Sequence, residues 1–308
     1  MKRLTINEWP RMWRLRLETL GRAAVRHSCP SAIVGGCVRD LVLGLEPKDW
    51  DVVVEGQPSV WISDVASSLA ARVVEHPRFM TLTLHFSDGT HLDIATARKE
   101  TYVKPGSLPT VQPSSLSVDA LRRDFSANAL YFLLSEGTLL DPTGGVADMG
   151  LKRLRVLHDI SFIDDPTRLF RAARYAARYG WAVDKHTLDL IQSAVAARVP
   201  QTVSLVRLRH ELFRLLEEED PIGGLRLAWQ WGLWTYWDPR WEFTEELGAR
   251  LKSLPRQSPP AHRLAVLLSD HPNRAEEILT RFSTPVDLKK QVSAHLANFI
   301  RKFNGPIY

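Results

Sequence analysis

The spacing of apolar residues changes along the chain. In roughly the first half, short runs of Val, Ile, Leu and Thr are bounded by Gly, Pro or Asp, which is typical of strands. The predicted strands are SAIVGG, WDVVVEG, ARVVEHP, TLTLHF and HLDIATA. Apolar residues at helical spacing predict helices over 8–28 and 59–72, and Asp88-Gly89 predicts a hairpin turn. This part of the chain is therefore predicted to be a mixed sheet with helices.

From Asp164 onward, apolar residues recur at the spacing of about three to four that is typical of amphipathic helices. The chain is thus predicted to have an α+β fold, in which a mixed head precedes an all-α part. We expect a head over 1–150, a helical neck over 151–214 and a helical body over 215–308. The Pro- and Ser-rich stretch 103–117 is predicted to be a loop within the head.

Composition narrows the class of protein. The chain has 308 residues, of which 44% are hydrophobic and 24% charged, as expected for about two globular domains. A pI near 9.3 mildly favours a polyanionic partner. Two cysteines form no metal-binding pattern, which favours a reducing cytoplasm. No apolar run approaches the roughly 18 residues of a membrane span, so no membrane association is expected.

The stretch IVGGCVRDLVLGLEPKDWDVVVEG concentrates candidate chemistry between residues 33 and 56. Gly35-Gly36 follows a predicted strand and precedes a predicted helix, so its backbone amides could approach a phosphate. Arg39, one turn later, could add a charge-assisted contact. The alternative interpretation is a tight packing turn followed by a surface arginine.

The carboxylates in and near this stretch suggest a metal site. Asp49 and Asp51 lie two residues apart at the head of a predicted strand, where such residues face the same side. Paired carboxylates favour Mg²⁺ or Mn²⁺ over zinc and suit phosphoryl transfer. Asp93, in another predicted strand, could add a third carboxylate. The alternatives are two solvated acids and a structural aspartate at a strand edge.

Several ordered motifs resemble one family. GGCVRDLVLGLEPKDWDVVV resembles the signature of class II tRNA nucleotidyltransferases and bacterial poly(A) polymerases, in the polymerase β-like superfamily. LRRDFSANAL (121–130), LLDPTGGVADM (139–149) and FIDDPTRLFRAARYAARYG (162–180) are similar to the family's later motifs. Residues 205–234 resemble its first body helices. The resemblance thus covers 31–234, and the remaining residues resemble the family only in being helical.

The resemblance implies a role for each matched residue. Asp49 and Asp51 would hold Mg²⁺, with Asp93 as a further catalytic carboxylate. The residues implied to bind the nucleotide are Gly35, Gly36, Arg39, Arg123, Asp124, Asn128, Asp165, Arg168, Arg171 and Arg174. Arg123 and Asp124 would engage the ribose and the phosphates, with Asn128 close by.

The helix predicted to begin at Asp164 would select the base. Asp165 and Arg168 are spaced i and i+3, so on a helix they would share a face. A carboxylate and a guanidinium together match the Watson–Crick edge of cytosine or adenine. The alternative is an Asp–Arg salt bridge on a basic helix. The family usually has Glu at the position of Asp164.

Residues 97–110 resemble the flexible loop of the family, and Arg98-Lys99-Glu100 resembles its basic and acidic element. In the family this loop helps the pocket change from C to A addition, and CC-adding members tend to have a shortened loop. The loop of this chain is not evidently shortened, which favours an enzyme that can add the terminal A.

The expected reaction is the transfer of C and/or A from CTP and ATP to the 3′ end of tRNA without a nucleic acid template. A CC-adding enzyme, an A-adding enzyme and a poly(A) polymerase stay open as alternatives. So does a non-catalytic RNA-binding relative. No protein partner is implied. The first thirty residues have no role that follows from the sequence, beyond a docking helix.

Overall fold

A computed structural model describes residues 9–77 and 80–304. Residue 8, where the predicted N-terminal helix begins, and the last residues of the predicted body lie outside these ranges. The chain divides into two compact units. Unit 1 comprises the chain up to Val103 and Leu108–His158, and unit 2 comprises Lys104–Ser107 and the chain from Asp159 onward. The predicted head, neck and body boundaries stay a proposal. None of the described helices has the length and hydropathy needed to cross a bilayer.

Unit 1 contains ten strands and five α-helices in its described residues. The strands are β1 (Ser31–Val34), β2 (Asp51–Val54), β3 (Arg72–His76), β4 (Thr81–His85), β5 (His91–Thr96), β6 (Arg98–Thr101), β7 (Thr110–Pro113), β8 (Tyr131–Leu133), β9 (Thr138–Leu140) and β10 (Arg153–Leu154). The helices are α1 (Arg11–Arg26), α2 (Gly36–Val42), α3 (Ile62–Ser68), α4 (Leu116–Leu121) and α5 (Gly145–Gly150), with 3₁₀ turns at Pro58–Val60 and Ser126–Asn128. Strands β1 to β5 confirm the five predicted strands.

Seven strands form one mixed sheet in the order β3-β4-β5-β2-β1-β8-β9. Neighbours are antiparallel except β2 and β5, which are parallel. Asp51 at the start of β2 is therefore in register with Asp93 of β5. The predicted hairpin turn is confirmed between β4 and β5, where Gly89 has φ +83°. The mixed sheet of the predicted head is thus confirmed.

Two predictions for unit 1 need correction. Helix α1 is shorter than 8–28, because Pro10 is extended with ψ 131° and Ser28 has φ +53°. Residues 103–117 are not loop throughout, since β7 pairs with β6 in a hairpin and α4 begins at Leu116. Pro113 is tolerated there because the hairpin is a separate two-stranded sheet, where a proline can face away from the ladder.

Unit 2 is helical, as predicted. Its helices are α6 (Ser161–Asp164), α7 (Thr167–Tyr179), α8 (Lys185–Ala196), α9 (Leu205–Leu216), α10 (Ile222–Gln230), α11 (Glu245–Lys252), α12 (Pro260–Leu268), α13 (Ala275–Arg281) and α14 (Val286–Asn304). The short strand β11 (Ala182–Val183) and 3₁₀ turns at Val199–Thr202, Leu233–Tyr236 and Pro272–Arg274 lie between them. Helix α11 begins where the Thr244 hydroxyl accepts a hydrogen bond from the amide of Leu247 at 3.0 Å.

The helix predicted to begin at Asp164 instead begins at Thr167. Asp165 is extended, with φ −132° and ψ 94°, because a residue that precedes proline is disfavoured in the helical region. Asp165 and Arg168 are therefore not i and i+3 of one helix, and the shared-face argument for them is wrong. Helix α7 ends at Gly180, whose φ of +62° suits a helix terminus.

Candidate active site

The turn between β1 and α2 is formed by Gly35 and Gly36. Gly35 has φ +73° and ψ −133°, a conformation that residues with a Cβ rarely adopt. Its amide donates to the carbonyl oxygen of Leu130 at 3.1 Å. A Cβ at Gly35 would lie 3.6 Å from Nη1 of Arg123, and one at Gly36 would lie 3.3 Å from Nη2 of Arg39. Backbone without side chains thus approaches two of the predicted nucleotide-binding arginines.

Arg39 joins α2 to the turn that carries Asn128. Its side chain is buried, pairs with Asp40 at 2.9 Å and donates from Nη1 to Oδ1 of Asn128. Nδ2 of Asn128 in turn donates to Oδ1 of Asp124 at 2.9 Å. A line of hydrogen bonds therefore brings together Arg39, Asn128 and Asp124, three residues that the sequence motifs selected.

The predicted carboxylates lie at or near one end of the neighbouring strands β2 and β5. Asp51 and Asp93 are in register on β2 and β5, and Thr83 Oγ1 donates to Oδ1 of Asp93 at 2.6 Å. Asp49 is exposed and lies in a bend before β2. The prediction that Asp49 and Asp51 lie on one strand is therefore wrong, because the strand begins only at Asp51.

Electrostatics nevertheless links the three carboxylates. Burial raises the pKa of Asp51 to about 6, against the opposing charge of Arg123. The carboxylates of Asp93 and Asp49 act in the same direction as burial. Asp93 and Asp49 thus add negative charge around Asp51 that opposes its ionisation, and a bound metal ion would favour the ionised form.

The carboxylate donors of this site fit a hard divalent cation. Carboxylate oxygens are preferred ligands of Mg²⁺, which usually keeps several water ligands and takes one or two protein carboxylates plus substrate phosphates. Across residues 9–77 and 80–304, no three His, Cys, Asp or Glu side chains are grouped to ligate one metal. A cation here would therefore be held by at most two of these side chains and would take water and a substrate phosphate as its other ligands.

Arg123 is held by a residue that sequence analysis missed, Asp119 of α4. Nε and Nη2 of Arg123 donate to Oδ2 of Asp119 at 3.2 and 2.7 Å. The hydroxyl of Tyr131 donates to the same oxygen at 2.7 Å. Asp119 is completely buried, so these contacts fix the direction in which the guanidinium of Arg123 points.

The other oxygen of Asp119 is also saturated. Oδ1 accepts from the amide of Arg98 at 3.0 Å and from Nε of Arg122 at 2.9 Å. Burial alone would raise the pKa of Asp119, but the charges of Arg123 and Arg122 outweigh it and lower the pKa to about 2. The i, i+4 spacing of Asp119 and Arg123 within DALRRD is the sequence signal that could have revealed this pair.

The predicted basic and acidic element lies on the β6–β7 hairpin. Oε1 of Glu100 accepts from Nε of Arg98 at 3.1 Å and from Nη1 of Arg122 at 2.8 Å. Lys99, between them, is exposed, as alternation along a strand requires. Through Arg122 the hairpin is connected to Asp119, and therefore to Arg123.

The DPTGG segment supports the turn that carries Asn128. Carboxylate oxygens of Asp141 accept from the amides of Gly145 and its successor at 2.8 and 2.9 Å. A Cβ at Gly145 would lie 2.2 Å from the carbonyl oxygen of Ser126, so only glycine allows this approach. Oγ of Ser126 donates to the buried Asp148 at 2.6 Å. The family-like segment thus has a packing role in this structure.

In unit 2, Asp165 is bound by an arginine of α9. Its Oδ1 accepts from Oγ1 of Thr167 and from Nη2 of Arg207, each at 2.7 Å. Nη1 of Arg207 donates to the carbonyl oxygen of Gly106 at 2.7 Å. Gly106 has φ +70°, and a Cβ there would lie 2.4 Å from Oγ1 of Thr202. Arg207 therefore connects Asp165 to the tip of the predicted flexible loop.

The arginines of α7 are more buried than a nucleic-acid-facing stripe would be. Arg168 donates from Nη1 to Oγ of Ser161, and it is 5% exposed. Arg174, 6% exposed, lies 3.4 Å from Oε1 of Glu218, with its guanidinium 4.5 Å from the ring centre of Tyr175. Nη2 of Arg171 donates to the Tyr175 hydroxyl at 3.3 Å. Arg168, Arg171 and Arg174 thus lie on one helix, and each contacts other side chains of this chain.

Glu211 of α9 is a second residue that sequence analysis missed. It is buried, and its Oε2 has no hydrogen-bond partner in the described part of the chain. Burial raises the pKa of Glu211, against the opposing charges of Arg171 and Arg214. An acidic residue on the apolar face of LVRLRHELFRLL is the signal that could have revealed it.

Several known proteins are similar to this chain. Residues 31–155 match the family model of the poly A polymerase head domain. The A-adding tRNA nucleotidyltransferase of Geobacter sulfurreducens is 42% identical over 216 residues, which are 69% of this chain and 24% of that protein. The CC-adding tRNA nucleotidyltransferase of Deinococcus radiodurans is 40% identical over 211 residues, which are 66% of this chain and 54% of that protein. The chain thus spans between about a quarter and a half of the length of these relatives.

One solved structure is a tRNA nucleotidyltransferase complexed with a primer tRNA and an incoming ATP analog. It matches with a TM-score of 0.77 and 27% identity, over 94% of this chain and 85% of that one. The fold and the site together define a polymerase β-like nucleotidyltransferase head followed by a helical part. Residues 31–155 thus match a poly A polymerase head domain, and about two thirds of the chain is similar to tRNA nucleotidyltransferases.

Proposed function

We propose that this protein adds C and/or A, from CTP and ATP, to the 3′ end of tRNA without a nucleic acid template. The observation that carries the proposal is the position of Arg123. Its charge acts on Asp51, and its guanidinium lies 3.6 Å from the Cβ position of Gly35. The predicted phosphate cradle and the predicted metal site therefore share one cation, as a single triphosphate site requires.

Each candidate site residue of unit 1 would then have a definite role. Arg39 and Arg123 donate hydrogen bonds to the triphosphate, and Asp124 and Asn128 contact the ribose. Mg²⁺ held by Asp49 and Asp51 would supply positive charge beside the reacting phosphate. The 3′ oxygen of the RNA attacks the α-phosphorus, the bond to the bridging oxygen of the β-phosphate breaks, and pyrophosphate leaves with both electrons of that bond.

Base selection and RNA binding would fall to unit 2. Asp165 and Arg168 would pair with the Watson–Crick edge of C or A, with Arg171 and Arg174 as further nucleotide contacts. The pI near 9.3 supports an RNA partner held mainly through its phosphates. The proposal involves no membrane and no protein partner, and it assumes a cytoplasmic location, which the unpaired Cys29 and Cys37 favour.

A second candidate function is addition of only part of the CCA end. The two relatives described above, at 42% and 40% identity, are named A-adding and CC-adding. Their names support a specialist that adds either the two C residues or the terminal A. A poly(A) polymerase and a non-catalytic RNA-binding protein are further outcomes that the same experiment distinguishes.

The test is incorporation of labelled CTP or ATP, with Mg²⁺, into tRNAs that end at the discriminator base, at C and at CC. Growth of all three to CCA supports the full activity, growth limited to some of them identifies a specialist, and a long A ladder identifies a poly(A) polymerase. Asp51→Asn is the inactive control. Absence of incorporation with every tRNA, or incorporation that survives in Asp51→Asn, would contradict the proposal.

A further inference from the structure

Trp50 lies between Asp49 and Asp51 in the sequence and is packed against the N-terminal helix. It is 4% exposed, and its ring stacks on Trp13 of α1 with centroids 4.9 Å apart and planes at 17°. Trp9, which precedes α1, contacts the same ring edge-on at 5.6 Å. The segment around α1 therefore holds the side chain of Trp50, the residue between the two proposed metal-binding aspartates.

A second contact connects α1 to the strand that carries Asp93. Arg16 donates from Nη2 to Oδ2 of Asp88 at 2.7 Å and from Nη1 to Oγ1 of Thr90 at 2.8 Å. Its guanidinium also lies 3.6 Å from the ring centre of Phe86. Arg16 is buried, so it holds the turn that leads into β5 in one arrangement.

The contacts of Trp50 and Arg16 lie at the same ends of the parallel neighbouring strands β2 and β5. Trp50 immediately precedes β2, and Thr90 immediately precedes β5. The amide of Asp93 donates to the carbonyl oxygen of Trp50 at 3.2 Å, which joins the two segments directly. Because Asp51 and Asp93 follow within one to three residues, a displacement of α1 would move both carboxylates.

The loop before β2 is largely exposed to solvent. Its residues Glu46, Lys48 and Asp49 are exposed. A cavity of about 250 Å³ is lined by this loop and by Trp13. Together with the hydrogen bond between the amide of Asp93 and the carbonyl oxygen of Trp50, the indole contacts of Trp50 therefore restrain the chain direction at Asp49.

We propose that Trp13 and Arg16 of α1 are positioning residues, which hold the entries of β2 and β5 and thereby bring the site's carboxylates together. The inference rests on the proposed function, and it gives a role to a helix outside the matched residues 31–155. The competing explanation is that α1 only covers the core, since Leu17 and Leu20 are completely buried.

Four variants separate the two explanations. Trp13→Ala removes the stack on Trp50, whereas Trp13→Phe keeps an aromatic ring at this position. Leu20→Ala removes a core side chain of α1. His27→Ala removes the stack on Trp61 at the other end of α1, where the rings lie 5.9 Å apart. The readouts are hydrogen–deuterium exchange of the amides of residues 46–51 and 88–93, and the kcat and KM for nucleotide incorporation.

In Trp13→Ala we expect exchange in residues 46–51 to accelerate at least tenfold and kcat to fall at least tenfold, with the KM for the nucleotide nearly unchanged. Trp13→Phe should recover most of both. Leu20→Ala and His27→Ala should leave the exchange of 46–51 within twofold of wild type. Equal acceleration in Leu20→Ala, or none in Trp13→Ala, would overturn the proposal.

Arg16→Lys keeps the charge and loses the two-pronged contact, so it covers the case in which Trp13→Ala does not fold. Its expected result is at least tenfold faster exchange at residues 88–93, and unchanged exchange there would count against the inference. If wild type incorporates no nucleotide, the proposed function fails. The exchange comparison still decides the role of α1, because it needs no substrate.

Discussion

Arg123 donates two hydrogen bonds to one oxygen, Oδ2 of Asp119, and Asp119 is completely buried. Two hydrogen bonds to one acceptor fix the plane of the guanidinium more tightly than one would. Arg122 and Tyr131 hold the same carboxylate. The orientation of Arg123 beside Gly35 is therefore set from the protein interior.

Asp119→Asn should raise the KM for CTP and ATP about tenfold to a hundredfold, because a hydrogen bond to a charged group contributes about 1.5–3 kcal/mol. The amide keeps the size of the carboxylate but loses its charge, so Arg123 is held less strongly. Steady-state incorporation kinetics measure the effect. Asp148→Asn, which removes the charge of another buried aspartate of unit 1, is the matched control and should change the KM less.

Asp119 should also make stability depend on pH. Its pKa is lowered to about 2 from the usual 3.8, so its stabilising contribution is complete above 3.8 and is lost as the pH falls towards 2. A shift of roughly two units corresponds to about 2–3 kcal/mol. Urea unfolding of wild type and Asp119→Asn should differ most at neutral pH and converge below pH 4. A difference that stays constant with pH would contradict this assignment.

Gly35→Ala should impair nucleotide binding, whereas Gly44→Ala should not. Both glycines have φ +73°, so each substitution carries a backbone strain of about 1–3 kcal/mol. A Cβ at Gly35 faces Arg123, while one at Gly44 meets no atom within 4 Å. Thermal unfolding should report a loss of stability for both variants. Only Gly35→Ala should weaken binding of CTP or ATP in calorimetry, and equal binding by both would argue against a phosphate cradle.

Asp51→Asn should abolish incorporation and yet stabilise the metal-free protein. The pKa of Asp51 is raised to about 6, so ionised Asp51 destabilises the fold at pH 8 by about 2–3 kcal/mol, at 1.36 kcal/mol per unit. Removing that charge recovers this free energy. Chemical unfolding in EDTA at pH 8 measures the gain, and the exposed Asp64→Asn should leave stability nearly unchanged. A destabilised Asp51→Asn would mean that burial does not disfavour the ionised carboxylate of Asp51.

Local patterns predicted the parts of the fold that depend on neighbours in sequence. The five strands before Ala97 and the turn at Gly89 follow from alternation and turn residues. Asp119 was missed because its partners Arg98 and Tyr131 are brought to it only by folding. Apolar spacing placed the start of α7 at Asp164, whereas Pro166 disfavours the helical conformation of the residue before it and the helix begins at Thr167.

Arg207→Lys should reduce discrimination between nucleotides more than it reduces their incorporation. Arg207 holds both Oδ1 of Asp165 and the carbonyl oxygen of Gly106, and a lysine cannot reproduce this fork. The ratio of kcat/KM for CTP or ATP to that for UTP or GTP should fall about tenfold, equivalent to about 1.4 kcal/mol. Arg226→Lys, in an exposed pair with Glu245, is the matched control and should leave the ratio unchanged. An unchanged ratio in Arg207→Lys would mean that Asp165 does not depend on Arg207 for its position, or does not select the base.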